Sequence, residues 1–301
     1  MSQPLPRTER QPQPKTLPSN GFVSEERDSA LPVTSSSEPV FDPIQEDLYR
    51  GVLLSLREHD LPYAVSGAFA LQQHTGIWRV TKDLDLFLTS ETVPKALCLL
   101  RKKGFRCEIC DPVWLAKAHH GDFFVDLITG MSNAVVVVDD SWIARSTPTV
   151  VFGVETRVLA AEELIASKLF VTRRERFDGA DIAHVIFGTR GNLDWDRIFY
   201  IIGEHWEILL WALILFRYVY PAQTDYVPAR VWNNLLTRFT AELQNHNDQA
   251  PFRGSLIDDK MFAIDVNEWG FADLLAGYRK SRMPKLSSES CGNEEKRTRI
   301  A

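Results

Sequence analysis

The sequence predicts an α+β protein in which a small mixed β-sheet with flanking helices is followed by a C-terminal helical domain. Short apolar runs bounded by turn residues indicate the strands. After Ala160 the spacing of apolar residues is almost entirely helical. Of the 301 residues, 45% are hydrophobic, which is enough for a sizeable core. Strands grouped in one part of the chain and helices in the next are typical of this class.

The predicted elements of the sheet region alternate between strands and helices. A short helix follows the glycine turn at Gly67. The remaining elements, in chain order, are a helix over about 42–59, strands near 62–66 and 83–88, a helix at 91–103, strands near 105–110 and 122–128, and a hairpin at 149–158 around Gly153.

The two ends of the chain differ in composition from its middle. The first 40 residues are rich in Pro, Ser, Gln and Glu and lack apolar periodicity, which predicts disorder. No charged stretch leads into an apolar run, so no secretory signal is visible and a cytoplasmic location is expected. We therefore expect four segments: a disordered tail at 1–40, a sheet domain at 41–159, a helical domain at 160–281 and a flexible tail at 282–301.

The segment from Ser66 to Leu88 carries the strongest functional signal. Side chains in a strand alternate between faces, so Asp83 and Asp85 project from the same face. Arg79 and Thr81 share that face if the strand begins early enough. Two neighbouring carboxylates repel each other, and a hard cation such as Mg²⁺ relieves the repulsion. A D-x-D pair alone is a weak motif and often marks a solvated face, so its context decides.

The context is a glycine turn that precedes a helix. Ser66 and Gly67 follow a short apolar strand, and glycine lets the backbone approach a ligand closely. The first turn of the following helix, near Ala68, offers free N–H groups to an anion. A phosphate-binding turn beside a pair of carboxylates suits a nucleoside triphosphate.

This combination resembles the nucleotidyltransferase superfamily, whose fold is shared by DNA polymerase beta and the antibiotic nucleotidyltransferases. Within it, the pattern is most similar to the abortive-infection (AbiEii-like) nucleotidyltransferase toxins and their uncharacterised bacterial relatives. Their pattern is Gly-Gly or Gly-Ser, an Ala, often His-Gly, and then R-x-[TS]-x-D-[IL]-D. The matching positions are Ser66-Gly67, Ala70, His74, Arg79, Thr81, Asp83 and Asp85. The order of Ser66 and Gly67 is inverted relative to Gly-Ser, and Thr75 separates His74 from Gly76.

A third carboxylate comes from a later strand in this superfamily. Residues 122–128 are predicted to form a buried strand in which Asp126 lies between Val125 and Leu127 and needs a partner. Asp122 would project from the same face of the strand as Asp126, but its place at the start of the strand favours a capping or solvated role. Asp126 is therefore the expected third ligand.

The resemblance implies metal-dependent transfer of a nucleoside monophosphate with release of pyrophosphate. Two metal ions about 4 Å apart, Mg²⁺ or alternatively Mn²⁺, would clamp the displacement at the α-phosphate. Asp83 and Asp85 would hold both ions, and Asp126 would hold one ion and could accept the proton of the attacking hydroxyl. The nucleotide-binding residues would be Ser66, Gly67, Arg79, Thr81 and Lys168.

Lys168 belongs to a second segment, at 158–187, that contains two helical patterns broken near Gly179. By the resemblance, Lys168 would reach the nucleotide phosphates and Asp181 would match an acidic position of the family. The alternative for Lys168 is a surface lysine on an amphipathic helix. For the arginines at 173–176, a solvated face paired with Glu175 and Asp178 is favoured over substrate contact.

Several polar residues near the expected site keep more than one interpretation. Arg79 could bind a phosphate or the acceptor, or it could pair with a site carboxylate. Thr81 could simply satisfy the edge of the strand. His74 is expected to be a helix-end residue, and His119-His120 are expected to be exposed loop residues.

The chain leaves the acceptor and the partners open. The apolar run at 206–220 is short and carries Glu207 and Arg217, so we expect a buried helix and not a membrane-spanning one. The net charge of −6 disfavours a large nucleic-acid surface, although a local patch at 173–176 could meet an RNA end. The acceptor could be a small molecule, an RNA end or a protein side chain. Two alternative functions remain: a toxin that acts on tRNA and has an antitoxin partner, and a non-catalytic nucleotide-binding protein. The chain could also form a homodimer.

Overall fold

A seven-stranded mixed sheet forms the centre of the fold in the computed structural model, which describes residues 40–78 and 81–282. Apart from Val40 and Arg282, the tails predicted at 1–40 and 282–301 lie outside the described residues, as does Arg79. The strand order is β3-β4-β5-β2-β1-β7-β6. The strands are β1 (Ala64–Val65), β2 (Asp83–Phe87), β3 (Arg106–Asp111), β4 (Leu115–His120), β5 (Phe123–Ile128), β6 (Thr147–Val151) and β7 (Val154–Val158).

Two parallel pairings within the sheet make it mixed: β2 runs parallel to β5, and β1 runs parallel to β7. The other neighbours are antiparallel. A separate two-stranded hairpin is formed by β8 (Thr172–Arg173) and β9 (Arg176–Phe177).

Helices flank the sheet and dominate the second half of the chain. In order they are α1 (Pro43–Glu58), α2 (Gly67–Thr75), α3 (Val93–Lys102), α4 (Asp140–Arg145), α5 (Ala161–Lys168), α6 (Gly179–Gly188), α7 (Trp195–Ile202), α8 (Trp206–Val219), a 3₁₀ helix (Pro221–Tyr226), α9 (Ala229–Gln244), α10 (Gly254–Ile257), α11 (Ala263–Asn267) and α12 (Leu274–Arg282).

One face of the sheet is covered by α1 and α3. The first helix begins after Asp42, whose side chain accepts a hydrogen bond from the backbone N–H of Ile44 at 2.8 Å, and Pro43 occupies the first turn. Its apolar stripe packs on β4, β5 and β7, and α3 packs on β3 and β4.

Most predicted elements of the sheet region are confirmed, and two predictions are wrong. His119 and His120 belong to β4, an antiparallel neighbour of β5, and not to a loop, although His120 is exposed as predicted. The first of the two helical patterns at 158–187 ends at Lys168 and does not continue to Gly179, because the β8–β9 hairpin lies between α5 and α6. The first strand is also shorter than predicted and covers only Ala64–Val65.

The predicted buried helix at 206–220 is α8, which packs against α6, α7 and α9. Its inner side buries Leu209, Leu213 and Phe216, while Trp211 and Tyr218 are exposed on its outer side. Among the helices of the described residues, none combines the length and the apolar character required to cross a membrane.

Candidate active site

Three carboxylates predicted from the sequence converge on two neighbouring strands of the sheet. The parallel register of β2 and β5 places Asp85 directly opposite Asp126, and Asp83 lies two residues earlier on β2. One oxygen from each of Asp83, Asp85 and Asp126 lies within 4.8 Å of the others. Asp122 is exposed just before β5 begins and is outside this cluster. The donors are all carboxylate oxygens, which fits a hard divalent cation.

The electrostatics of this cluster favour a bound cation. Removal from water, followed by repulsion from Asp83 and Asp126, raises the pKa of Asp85 to about 7. Lys168 and Arg176 oppose this rise without cancelling it. Near neutral pH Asp85 is therefore only partly ionised, and a divalent ion would relieve the same repulsion and favour the ionised form.

Gly67 connects the glycine turn to the carboxylates. Its φ angle is +57°, and a Cβ atom at this position would lie 2.0 Å from Oδ2 of Asp85. The backbone N–H of the preceding Ser66 donates to the carbonyl oxygen of Asp85 at 2.8 Å. Only glycine fits this position, and the fit brings the first turn of α2 beside the carboxylates.

Thr81 contacts the first carboxylate of the pair. Its hydroxyl donates to Oδ1 of Asp83 at 2.5 Å, and its carbonyl oxygen accepts from Nε2 of Gln45 at 3.2 Å. The same Gln45 amide donates to the hydroxyl of Tyr49 at 2.9 Å. Burial, reinforced by the nearby carboxylates, raises the pKa of Tyr49. Gln45 and Tyr49 therefore support the site from α1, although nothing in their local sequence distinguishes them from ordinary helix residues.

Lys168 is buried at the end of α5, with 7% of its surface exposed, so the alternative of a surface lysine is wrong. Its Nζ lies 2.8 Å from Oδ2 of Asp178 and 2.8 Å from Oδ2 of Asp181. Arg176 donates two further hydrogen bonds of 3.0 Å to Asp178. Burial alone would raise the pKa of Asp178, but the bonds from Arg176 and Lys168 outweigh burial and lower it. The predicted pairing of Arg176 with Asp178 is confirmed.

A second lysine, not predicted from the sequence, contacts the third carboxylate. Nζ of Lys117 on β4 lies 2.7 Å from Oδ1 of Asp126 and 3.7 Å from the centre of the Phe124 ring. Burial raises the pKa of Asp126, and the hydrogen bond from Lys117 partly offsets that effect. Burial alternates along β4, so that Ala116 and Ala118 are buried on one face and Lys117 projects from the other.

The two histidine positions have structural partners. His74 lies in the last turn of α2, as predicted, and its Nε2 is 2.7 Å from the carbonyl oxygen of Leu159. Nε2 of His119 is 2.9 Å from Oε1 of Glu108 on the neighbouring strand. Neither ring contributes to the carboxylate cluster.

The carboxylate cluster lies in the wall of a cleft with a volume of about 540 Å³. The carboxylates, the glycine turn and Lys168 meet in it, and Arg173 and Arg176 of the hairpin reach its edge. Arg173 also donates to Oγ of Ser132 at 2.9 Å. The remaining wall is mainly apolar and includes Phe87, Trp114, Ile128, Met131, Asn133 and Leu256.

A family model described as "Nucleotidyl transferase of unknown function (DUF2204)" matches residues 45–202, slightly more than half of the chain. The chain belongs to this nucleotidyltransferase family. The matched region contains the carboxylate cluster, the glycine turn and Lys168. No protein with curated annotation matches the sequence.

The chain also has partial similarity to several solved structures. The antibiotic-resistance factor ANT(2'')-Ia is 19% identical, with a TM-score of 0.40 over 59% of this chain and 99% of its own. A nucleotidyltransferase-like protein from Paracoccidioides brasiliensis is 15% identical, with a TM-score of 0.42 over 63% of this chain and 96% of its own. JHP933 from Helicobacter pylori is 13% identical, with a TM-score of 0.32 over 85% of this chain and 94% of its own.

Proposed function

We propose that this protein is a metal-dependent nucleotidyltransferase that moves a nucleoside monophosphate from a nucleoside triphosphate to a hydroxyl or similar acceptor, with release of pyrophosphate. The observation that carries the proposal is the cluster of Asp83, Asp85 and Asp126 beside the Gly67 turn, in a chain of a nucleotidyltransferase family. Carboxylates placed this closely are costly unless a cation joins them.

The three carboxylates would hold Mg²⁺, with two ions in the loaded site and Mn²⁺ as an alternative. When bound, the metal supplies Lewis-acid polarisation and charge neutralisation at the phosphates. Thr81 holds the carboxylate of Asp83 in place through its hydroxyl, which supports a positioning role for this residue. The phosphate contact expected of Arg79 stays a prediction, since this residue lies outside the described part of the chain.

The nucleotide would bind between the glycine turn and Lys168. The free N–H groups of the first turn of α2, after Ser66 and Gly67, suit the triphosphate. Two of the three N–H donors of Lys168 are directed to Asp178 and Asp181, which leaves one for a phosphate oxygen. These contacts would orient the α-phosphate above the carboxylates, and positioning of this kind supplies much of the rate enhancement in phosphoryl chemistry.

Asp126 is the proposed acceptor of the proton from the attacking hydroxyl. Its Oδ1 is bound by Lys117, so Oδ2 is the oxygen available for that proton. In the ion-free protein, burial raises the pKa of the Asp126 carboxyl above its usual value.

The acceptor stays open between a small molecule, an RNA end and a protein side chain. A relationship to the abortive-infection toxins, with tRNA as the acceptor and an antitoxin as the partner, is the alternative within the same chemistry. A second alternative is a protein that binds nucleotides without catalysing transfer.

We also propose a cytoplasmic location and a homodimer as one assembly state. The proposed domains are 41–159 and 160–281, and the second supplies Lys168 to the cleft.

The test is transfer of label from each of the four α-labelled nucleoside triphosphates, in Mg²⁺, to the RNA, protein and small-molecule fractions of a cell extract. Wild type is expected to label one fraction with one nucleotide and to release pyrophosphate. Asp85→Asn should reduce labelling to background while the fold is retained, because the change relieves repulsion. The matched control is Asp122→Asn, which removes an exposed carboxylate outside the cluster and should label like wild type.

Labelling of the RNA fraction at tRNA would favour the toxin alternative. Absence of label in every fraction, together with Mg²⁺-dependent nucleotide binding, would favour the non-catalytic alternative. Equal labelling by wild type and Asp85→Asn would contradict the proposed site.

A further inference from the structure

We propose that Lys117 is a positioning residue that acts as a built-in counter-ion at the third carboxylate and limits the nucleotide-free protein to a single divalent ion. The inference rests on the proposed function, because it concerns the same carboxylate cluster. It assigns a role to a residue outside the motif by which the sequence predicts the site.

The position of Lys117 is set by the sheet. In the antiparallel register of β4 and β5, Lys117 lies directly opposite Asp126, which lies directly opposite Asp85 on β2. Facing residues of neighbouring strands project on the same side, so the three side chains form one row across the sheet. Lys117 is thus directed at the cluster by backbone pairing and not by a mobile loop.

The ammonium group of Lys117 is held from two sides. It lies 2.7 Å from Oδ1 of Asp126 and 3.7 Å from the centre of the Phe124 ring, and only 20% of the side chain is exposed. Contact with an aromatic face stabilises a cation, and reduced exposure to water strengthens the ion pair. The oxygen that Lys117 contacts, Oδ1 of Asp126, is itself buried, so the ion pair is shielded from water.

In the part of the chain that the structure describes, four cations line the cleft. Arg173 donates to Ser132, Lys82 is exposed, and the remaining two are engaged by carboxylates outside the cluster. Lys168 contacts Asp178 and Asp181, and Arg176 contacts Asp178, so these four side chains neutralise one another. Among the described residues, Lys117 is the cation that forms an ion pair with the carboxylate cluster.

This charge balance determines how many divalent ions the free protein can hold. Three carboxylates and one ammonium carry a net charge of −2 when all are ionised, which a single divalent ion neutralises. A second ion would add a net positive charge at close range, and this is unfavourable until the triphosphate brings its own negative charge. Lys117 thereby couples entry of the second ion to nucleotide binding.

The test measures Mn²⁺ binding to the full-length, nucleotide-free protein. The amount of free Mn²⁺ is read from its electron paramagnetic resonance signal. Wild type is expected to bind one Mn²⁺. Lys117→Met, which keeps the apolar stem over Phe124 but removes the charge, should bind the first Mn²⁺ at least about tenfold more tightly and should take up a second ion. Lys117→Arg keeps the charge and should bind Mn²⁺ like wild type.

The matched control is Lys82→Met. Lys82 is an exposed lysine that lines the same cleft next to Asp83, so its loss removes the same charge from a solvated position. The Mn²⁺ affinity of this variant should change by less than about threefold, because solvent screens exposed charges. A second readout is the melting temperature, which Mn²⁺ should raise more in Lys117→Met than in wild type.

The outcomes separate this inference from the proposed function. If wild type binds no Mn²⁺, the metal site itself is wrong. If wild type binds Mn²⁺ but Lys117→Met, folded by circular dichroism, binds one ion with unchanged or weaker affinity, the counter-ion role is overturned and the metal site stands.

Discussion

Gly67 shows how strongly a single residue can be constrained at this site. Its positive φ angle is costly for residues with a side chain, and the space for a Cβ is filled by the carboxylate of Asp85. The two constraints are separable within this chain. Gly153, in the β6–β7 turn, has a φ of +72°, but no atom lies within 4 Å of the position that a Cβ would take there.

Gly67→Ala should therefore cost more than Gly153→Ala. We expect about 1 kcal/mol of destabilisation for Gly153→Ala, from the backbone alone. For Gly67→Ala we expect about 2–4 kcal/mol, because overpacking against Asp85 is added to the backbone cost. Chemical denaturation measures both values. Gly67→Ala should also lose the stabilisation by nucleotide, which Gly153→Ala should retain. An equal loss of stability and equal stabilisation by nucleotide in the two variants would show that the contact with Asp85 is unimportant.

At the scale of elements, Lys168 joins two helices through buried charges. It ends α5, while Asp178 occupies the N-cap position of α6 and Asp181 lies in its first turn. A cation at a helix C-terminus and anions at a helix N-terminus also match the helix dipoles. The cluster thus fixes the angle at which the hairpin β8–β9 leaves α5 and returns to α6.

Lys168→Ala should destabilise the protein by about 3 kcal/mol, because it leaves buried carboxylates without their shared cation. Adding Asp181→Asn should recover part of this loss, since one of the stranded charges is removed. The control is Lys95→Ala, which changes an exposed lysine on α3 and should shift stability by less than about 0.5 kcal/mol. Equal denaturation midpoints for Lys168→Ala and Lys95→Ala would contradict the structural role of the ion pairs.

The elements that the sequence failed to predict are those whose stability is not local. Strand β4 contains two alanines, a lysine and two histidines, which are not strong strand formers, and it is held by pairing with both β3 and β5. The β8–β9 hairpin contains three arginines and a glutamate that would suit a helix equally well, and its backbone hydrogen bonds define it. In contrast, α1 carries its own cap and stripe and is predicted almost to the residue.

At the scale of the whole molecule, the parts of the site differ in how far the sequence reveals them. Asp83 and Asp85 are neighbours in one strand, so their common face follows from local geometry. Asp126 follows from the cost of burying an unpaired carboxylate. The contacts of Lys117 and Tyr49 depend on register and on packing between distant segments, which no local pattern encodes.

The most direct test of the central claim is thermal stability in the presence of each of the four nucleoside triphosphates, with and without Mg²⁺. We predict a Mg²⁺-dependent rise with at least one nucleotide, equivalent to about 2.7 kcal/mol at a hundredfold excess over its dissociation constant. The rise should persist in Asp122→Asn and vanish in the double variant Asp83→Asn/Asp85→Asn. No shift with any nucleotide, or the same shift in the folded double variant, would contradict a metal-dependent nucleotide site at these carboxylates.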